Sequence, residues 1–309
     1  MSLPFLQPYF GLSNSLQTAQ GGTGGSVSPT LGVFAGGYDT AASNVMDYIT
    51  IATTGNAIDF GDLTVSGYGV SGCNSSTRGI FGGSNGGNVI GYITIATTGN
   101  ATDFGDLTVF RQVHGACNSS TRGVFGGGYT GARQNIMDYI TIATTGNATD
   151  FGDLTASTSQ IGGLNSDVRG VFGGGENPSN TNVMEYITIA TTGNATDFGD
   201  LTVARSYLAG LNSDVRGVFG GGYTGAASNV MDYITIATTG NATDFGDLTV
   251  ARYGVSGCNS STRGVFSGGS TGANSNVMDY ITIATTGNAT DFGDLTVARV
   301  ELGGCQNGL

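Results

Sequence analysis

One segment is repeated almost unchanged six times along this chain of 309 residues. It reads YITIATTGNATDFGDLT, and a sixth copy differs only at Ile58. The copies begin at Tyr48, Tyr92, Tyr139, Tyr186, Tyr233 and Tyr280. Their spacing of 44 or 47 residues is typical of solenoids and β-propellers. The chain is therefore predicted to be an array of one supersecondary unit, and residues shared by every copy are first interpreted as structural.

Each unit contains four short segments of β-type sequence separated by turn residues. In the last complete unit these segments are Arg252–Cys258, Gly264–Phe266, Val277–Ile283 and Thr290–Thr296. The third segment carries apolar residues on both of its faces, which is typical of a sheet covered on both sides. Helical periodicity is lacking. These features favour an all-β propeller whose blades are sandwiched between neighbouring blades.

The two ends of the array are complementary in sequence. Leu31–Phe34 has the sequence of a second strand, whereas Ala298–Cys305 has the sequence of a first strand. A first strand supplied by the C-terminus would complete the first blade and remove an exposed sheet edge. We therefore predict a six-bladed β-propeller over residues 31–309, closed by its C-terminal strand and preceded by an extended N-terminal segment, residues 1–30.

The charge of the chain argues against two classes of partner. Its formal net charge is −12, and every basic residue is an arginine. Nucleic acids and anionic membranes are bound mainly by basic patches that neutralise phosphate groups, so neither is expected as a partner. No apolar run is long enough to span a bilayer, and the first twenty residues lack the pattern of a secretion signal. We expect a protein made in the cytoplasm that does not insert into membranes.

Four cysteines occupy one register of the repeat, in which leucine stands in the other two copies. The register consists of Cys73, Cys117, Leu164, Leu211, Cys258 and Cys305. A position that accepts either residue is interpreted as a small buried apolar site, because free cysteine packs like a hydrophobic residue. A disulfide or a thiolate metal site is the less favoured alternative.

The motif Arg263-Gly264-Val265-Phe266-Ser267-Gly268-Gly269, followed by Tyr280 and Phe292, resembles the kelch repeat of β-propellers. The resemblance covers about nine-tenths of the chain, although Phe stands where kelch repeats usually have Trp in the fourth strand. The amino-acid sequences of the repeat and of residues 5–18 are similar to those of kelch-like structural proteins of tailed bacteriophages of marine bacteria. That resemblance implies a virion component in a tail fibre, a tail tip or a head decoration.

Several motifs suggest catalysis or metal binding, but they recur in every unit. Asp291-Phe292-Gly293 matches a kinase triplet without a nucleotide-binding loop or any lysine. Asp291 and Asp294 could contribute to a calcium site, or they could serve turn amides and pair with arginine. Equivalent aspartates cannot easily supply the two different carboxyl pKa values that glycoside hydrolysis needs. We therefore predict a protein that is not an enzyme and has no metal or cofactor.

Arginines fall into two registers, one at the beginning of the first strand and one entering the second. The most direct interpretation is that they form ion pairs between blades or hydrogen bonds to carbonyl groups at blade edges. Ligand binding is the alternative.

The copies differ mainly in the loop between the second and third strands and in the connection from the fourth strand to the next blade. In an up-and-down blade these segments lie on one face. We predict that this face contacts a host surface glycan or protein, through Tyr38, Arg111, His114, Tyr129, Arg133, Tyr207 and Tyr223, because aromatic and Arg side chains dominate binding hot spots. Neutral drift in exposed loops explains the variation equally well. A multivalent lectin is the alternative function.

The first thirty residues are not repeated. Phe5, Tyr9 and Phe10 form an aromatic cluster, and Gly21–Gly25 reads as a flexible tether. We predict that this segment anchors the propeller to other virion proteins, which would place the mature protein in the virion.

Overall fold

The computed structural model describes residues 29–308, which form six four-stranded antiparallel sheets. This part of the chain contains 24 strands and no helix. Accordingly, no helix in it is long and apolar enough to cross a membrane. The predicted anchor residues Phe5, Tyr9 and Phe10 lie outside the described residues. The six sheets are the six blades of the β-propeller that the repeats predicted.

The strands follow the repeat from blade to blade. Blade 1 begins with β1 (Leu31–Ala35), β2 (Val45–Thr50) and β3 (Ile58–Asp62). Blade 2 is β4 (Ser71–Asn74), β5 (Arg78–Ser84), β6 (Gly87–Thr94) and β7 (Thr102–Asp106). Blade 3 is β8 (Gly115–Asn118), β9 (Arg122–Gly126), β10 (Ile136–Thr141) and β11 (Thr149–Asp153). Blade 4 is β12 (Gly162–Asn165), β13 (Arg169–Gly173), β14 (Val183–Thr188) and β15 (Thr196–Asp200). Blade 5 is β16 (Ala209–Asn212), β17 (Arg216–Gly220), β18 (Val230–Thr235) and β19 (Thr243–Asp247). Blade 6 is β20 (Ser256–Asn259), β21 (Arg263–Ser267), β22 (Val277–Thr282) and β23 (Thr290–Asp294), and β24 (Gly303–Gln306) completes blade 1.

The C-terminal strand closes the ring as predicted. β24 pairs antiparallel with β1, with Val33 opposite Cys305 and Phe34 opposite Gly304. The sheet order of blade 1 is therefore β24-β1-β2-β3, the same arrangement that the other blades build from consecutive strands. Closure leaves no unpaired inner strand in the ring, which satisfies the main-chain groups that an open array would expose.

First strands are shorter than the sequence predicted. β20 covers only Ser256–Asn259, whereas the prediction began at Arg252. Arg252 is fully buried and its guanidinium donates to the carbonyl of Gly268 at 2.7 Å. The residues before the strand therefore turn inward to bury this side chain and do not extend the sheet.

The hydrophobic core lies between blades. One cluster contains Phe34 and Ile49 of blade 1 together with Val265 and Phe292 of blade 6, and all four side chains are at most 3% exposed. Five further clusters of the same kind occur among the described residues. The two apolar faces predicted for the third strand are thus both used, one against each neighbouring blade.

Cysteines of the first strands fit against glycines of the next blade. All four are free and buried, which confirms the interpretation of this register as small apolar sites. The Cys73 thiol of blade 2 lies against Gly123 of blade 3, where a Cβ atom would overlap the sulfur. The first strand of one blade can therefore pack closely on the next blade only because the second strand of that blade has glycine at this position.

The arginines at the start of the second strands link neighbouring blades. They lie at the end of the sheets where the first strand turns into the second. Arg122 lies over the ring of Tyr139 at 4.3 Å and donates to the carbonyl of Ile189 in blade 4 at 3.0 Å. The same stacking recurs for Arg78, Arg169, Arg216 and Arg263. This confirms the predicted hydrogen bonds to carbonyl groups at blade edges.

We predict that Gly123→Ala lowers the free energy of unfolding by about 1–3 kcal/mol, because its methyl group would overlap the Cys73 thiol in a closely packed site. The double variant Cys73→Ala/Gly123→Ala should recover part of the loss, because it removes the overlapping sulfur. Urea denaturation of both variants and of Cys73→Ala measures this coupling. Additive losses in the double variant would contradict the proposed contact.

Candidate binding face and channel mouth

The loops that vary between copies are joined by main-chain pairing. Tyr129, in the loop between β9 and β10, pairs with Gln112 in the connection that enters blade 3. Tyr223 pairs in the same way with Ser206 in blade 5. Loop and connection therefore lie on one face of the ring, which we call the varied face.

Five of the seven predicted contact residues are accessible on the varied face. Tyr38 is 41% exposed, and Tyr129 and Tyr223 are each 38% exposed. Tyr207 is half-buried at the mouth of the central channel. Arg133 is half-exposed, but its guanidinium is 2.5 Å from a carboxylate oxygen of Glu176 in the neighbouring blade. The structure thus brings these residues to one face without gathering them into one pocket.

Arg111 and His114 do not lie on that surface, which corrects their prediction as contact residues. Arg111 is fully buried, and its guanidinium is 2.8 Å from the carboxylate of Asp138. His114 is 4% exposed and packs edge-on against Phe125, with 5.6 Å between ring centroids. Burial, with a contribution from the charge of Arg111, lowers the pKa of His114 to about 3. His114 occupies an apolar register of the repeat, held by Val70 in blade 2, and is a neutral core residue.

The arginines of the fourth-to-first connections form buried ion pairs with the third strand of the blade they enter. Four such pairs are 0% exposed: Arg111–Asp138, Arg205–Asp232, Arg252–Asp279 and Arg299–Asp47. The alternative pairing of arginine with the fourth-strand aspartate Asp294 is therefore wrong. Burial lowers the pKa of each guanidinium and the partner carboxylate opposes that shift.

Both members of the pair change together in the two remaining blades. Blade 2 has Gly67 and Gly91 at these positions, and blade 4 has Thr158 and Glu185. Glu185 is 4% exposed and accepts a hydrogen bond of 2.6 Å from the main chain of Thr155. Burial raises the pKa of this carboxyl, because no guanidinium replaces the lost hydration.

A closed ring of main-chain hydrogen bonds surrounds the channel mouth on the varied face. One residue from each blade donates its N–H to the carbonyl of the equivalent residue in the preceding blade, at 2.6–2.9 Å. The ring consists of Gly69, Val113, Gln160, Tyr207, Gly254 and Glu301. All six have positive φ, between 51° and 70°. We call these residues the mouth ring.

Four members of the mouth ring carry side chains in a conformation that favours glycine. Val113, Gln160, Tyr207 and Glu301 have φ of 51°, 58°, 57° and 59°, whereas Gly69 and Gly254 adopt the same backbone without a side chain. Left-handed backbone costs about 1–2 kcal/mol for a residue with a Cβ atom. Of these six residues only Tyr207 was predicted from the sequence as a contact residue, although the register differs in residue type from copy to copy.

At the far end of the channel, side-chain amides link the first strands from blade to blade. The main chain of Asn118 donates to the amide oxygen of Asn165 at 3.0 Å, and the main chain of Asn165 donates to that of Asn212 at 3.2 Å. Asn74, Asn212 and Gln306 donate in the same way, so that five such links run from Gln306 to Asn259. Between this end and the mouth ring the first strands approach so closely that a Cβ atom at Gly72 or Gly210 would overlap a carbonyl oxygen of the adjacent strand. A cavity of about 120 Å³ remains below the mouth ring.

Within residues 29–308, no group of three or more His, Cys, Asp or Glu side chains is arranged to hold a metal ion. The cavity below the mouth ring is lined by glycines and apolar residues of the first strands, together with Ser71, Ser256 and His114 and with mouth-ring residues that include Gln160, Tyr207 and Glu301.

We predict that Glu185→Gln stabilises the protein at high pH. The raised pKa of Glu185 means that its contribution to stability is present below the usual value of 4.5 and is lost as pH rises through the folded-state pKa. The variant should be more stable than the unmodified protein at pH 8 and little changed at pH 4, measured by urea denaturation.

Asp232→Asn in blade 5 is the matched control, because it leaves the buried Arg205 without its partner. Breaking such a pair costs about 3–5 kcal/mol, so this variant should be destabilised at pH 8. An equal loss of stability in both variants would contradict the different roles assigned to the two carboxyl groups.

Comparison of this chain with models of known protein families gave no match, and comparison with curated proteins gave none either. Its function is therefore inferred from the geometry of the propeller itself.

Proposed function

We propose that this protein is a non-enzymatic binding module of a virion, a kelch-like propeller that presents its varied face to a host surface or a partner protein. The observation that carries the proposal is the concentration of sequence variation on one face of a nearly sixfold scaffold. Residues that hold the blades together repeat from unit to unit, whereas the exposed Tyr38, Tyr129 and Tyr223 belong to the loops that differ. The virion role itself rests on the resemblance to kelch-like structural proteins of tailed bacteriophages.

The place where the chain enters the propeller also supports a varied face that is directed away from the particle. Thr30, next to β1, accepts a hydrogen bond of 3.0 Å from the main chain of Ile51, at the end of β2. This end of the sheets carries the nearly invariant turns, opposite the varied face. A segment that joins the propeller to other virion proteins at this point leaves the varied face directed away from the particle, as attachment to a host requires.

A lectin is the second candidate function, and one observation favours it. The exposed tyrosines Tyr38, Tyr129 and Tyr223 stand in one register of blades 1, 3 and 5, while Asn85, Glu176 and Ser270 occupy that register in the alternate blades. Three equivalent aromatic platforms on one face would suit multivalent stacking against sugar rings. Binding on a glycan array that is lost in Tyr38→Ala/Tyr129→Ala/Tyr223→Ala would support this alternative.

We expect that an antibody against the propeller labels purified virions at one structural site, seen by electron microscopy. Labelling of a tail fibre, a tail tip or the head surface would each support a virion role and would identify the component. Absence of the protein from purified particles, checked by mass spectrometry, would overturn it.

We expect Tyr129→Ala/Arg133→Ala to weaken attachment of the protein to its host or partner by about tenfold, since truncation of aromatic and Arg hot spots commonly costs more than 1 kcal/mol. The matched control is Val168→Ala/Val215→Ala, which truncates side chains 66% and 65% exposed in the turns of the opposite face. Attachment measured with labelled protein should be unchanged in the control. Equal effects of the two double variants would contradict the assignment of the varied face.

A further inference from the structure

Blade 2 differs from the others at the place where four blades bury an Arg–Asp pair. Gly67 and Gly91 stand at these positions, so blade 2 has neither the guanidinium nor the carboxylate. The connection is otherwise unchanged, because residues 62–74 match residues 247–259 of blade 6 at every position except Ser66 and Gly67. Blade 6 therefore shows what the same connection holds when the arginine is present.

In blade 6 the guanidinium of Arg252 is surrounded by hydrogen-bond acceptors. They are the main-chain carbonyl groups of Gly268 and Val277 and the carboxylate of Asp279. The same carboxylate accepts a hydrogen bond from the hydroxyl of Thr249, three residues before the arginine. In blade 1, Arg299 donates to the equivalent carbonyl groups at 2.7 and 2.6 Å, so the arrangement belongs to the repeat.

A pocket of about 20 Å³ lies at the equivalent place in blade 2. It is lined by the counterparts of the three acceptor residues and of Thr249, which are Gly83, Val89, Gly91 and Thr64. A Cβ atom at Gly91 would lie 3.6 Å from Oγ1 of Thr64, which places this hydroxyl beside the position of the missing carboxylate. The pocket is therefore the guanidinium site of the other blades, formed without an arginine or an aspartate of its own.

The arginines of this chain are all engaged elsewhere. The chain has ten arginines and no lysine. Four arginines are paired with buried aspartates, Arg133 is paired with Glu176, and the remaining five stack on tyrosine rings. Position 67 itself cannot carry the stem of an arginine, because a Cβ atom at Gly67 would overlap the Ser84 side chain. A guanidinium group that enters this pocket therefore comes from another molecule.

The rim of the pocket lies on the varied face. Thr64 is exposed, and Val65, which also lines the pocket, is 39% exposed. Gly87 and Val89 line it as well and are half-buried. A water molecule needs about 10–15 Å³, so a pocket of this size admits the end of one side chain and leaves the rest of the ligand outside.

The lining of the pocket favours a ligand that donates hydrogen bonds and carries positive charge. Main-chain carbonyl and hydroxyl oxygens are acceptors, and a guanidinium has five N–H donors and no acceptor. The net charge of −12 favours a cation over a carboxylate or a phosphate. A guanidinium is also more weakly hydrated than an ammonium group, so it loses less hydration on entering the pocket.

We propose that the pocket between Thr64, Gly83, Val89 and Gly91 binds the guanidinium group of an arginine side chain on a partner protein. The carbonyl groups of Gly83 and Val89 accept its N–H groups, as their counterparts in blade 6 accept those of Arg252. That the arginine belongs to a partner protein rests on the proposed function of the varied face. Binding of the guanidinium group itself does not depend on that function.

NMR titration of the full chain with N-acetylarginine methylamide, at pH 7 and constant ionic strength, tests the proposal. We expect saturable shifts of the amide resonances of Gly83, Val89 and Gly91. The lysine compound has the same charge and the citrulline compound has nearly the same shape without charge, and each should bind at least tenfold more weakly. No saturable shift with the arginine compound, or equal binding of all three, would overturn the proposal. Because the probe is a small molecule, the result is independent of attachment to a host or partner.

Two substitutions at Gly91 form a matched pair, since a Cβ atom there meets no atom closer than 3.6 Å. Gly91→Asp restores the carboxylate beside Thr64 and should strengthen binding of the arginine compound by about tenfold, because hydrogen bonds to charged groups are the stronger ones. Gly91→Leu has a side chain of similar shape that fills the pocket, and it should weaken binding by about tenfold or more. Thermal unfolding checks that both variants are folded. Changes in the same direction in the two variants would contradict the assignment of the pocket.

Discussion

Close approach of neighbouring blades is the constraint on which the rest of this structure depends. Inner strands lie so near one another that side chains are excluded at Gly72, Gly163 and Gly210, and glycines of the second strands accept the Cys or Leu side chain of the preceding blade. Interiors at this density tolerate little change in volume. The same solution must therefore be repeated at every interface, which accounts for the near identity of the copies in one chain.

Outside the packed interfaces between blades, the copies are free to differ in sequence. Neighbouring loops of the varied face touch through a few side chains, for example Asn180, which donates to the carbonyl of Tyr223 at 2.7 Å. In four of the six blades a buried Arg–Asp pair fixes the fourth-to-first connection from inside. These pairs support loops that can change without disturbing the core.

The repeats made the fold predictable, because a period of 47 residues with four β-type segments leaves few architectures, and the complementary ends left fewer still. The cysteine register was equally readable, since leucine in two copies fixes its chemistry. The pairing of each connection arginine with an aspartate of the third strand could not be predicted from the sequence. It depends on which strand of the blade faces the connection. The prediction of His114 as a surface contact was wrong, because it followed the polarity of the side chain. The other residues in its register are apolar. The mouth ring could not be predicted, because it requires positive φ at every position. Residue types such as Val113 and Glu301 rarely adopt that conformation.

Closure by β24 has a consequence for how the molecule is made. β24 follows the other 23 described strands in the sequence, so the inner strand of blade 1 is synthesised after all of them. Until β24 has been made, β1 exposes an unpaired edge, and the described residues contain five other first strands of similar sequence that could pair with it. The ring can therefore reach its native register only once β24 has been synthesised.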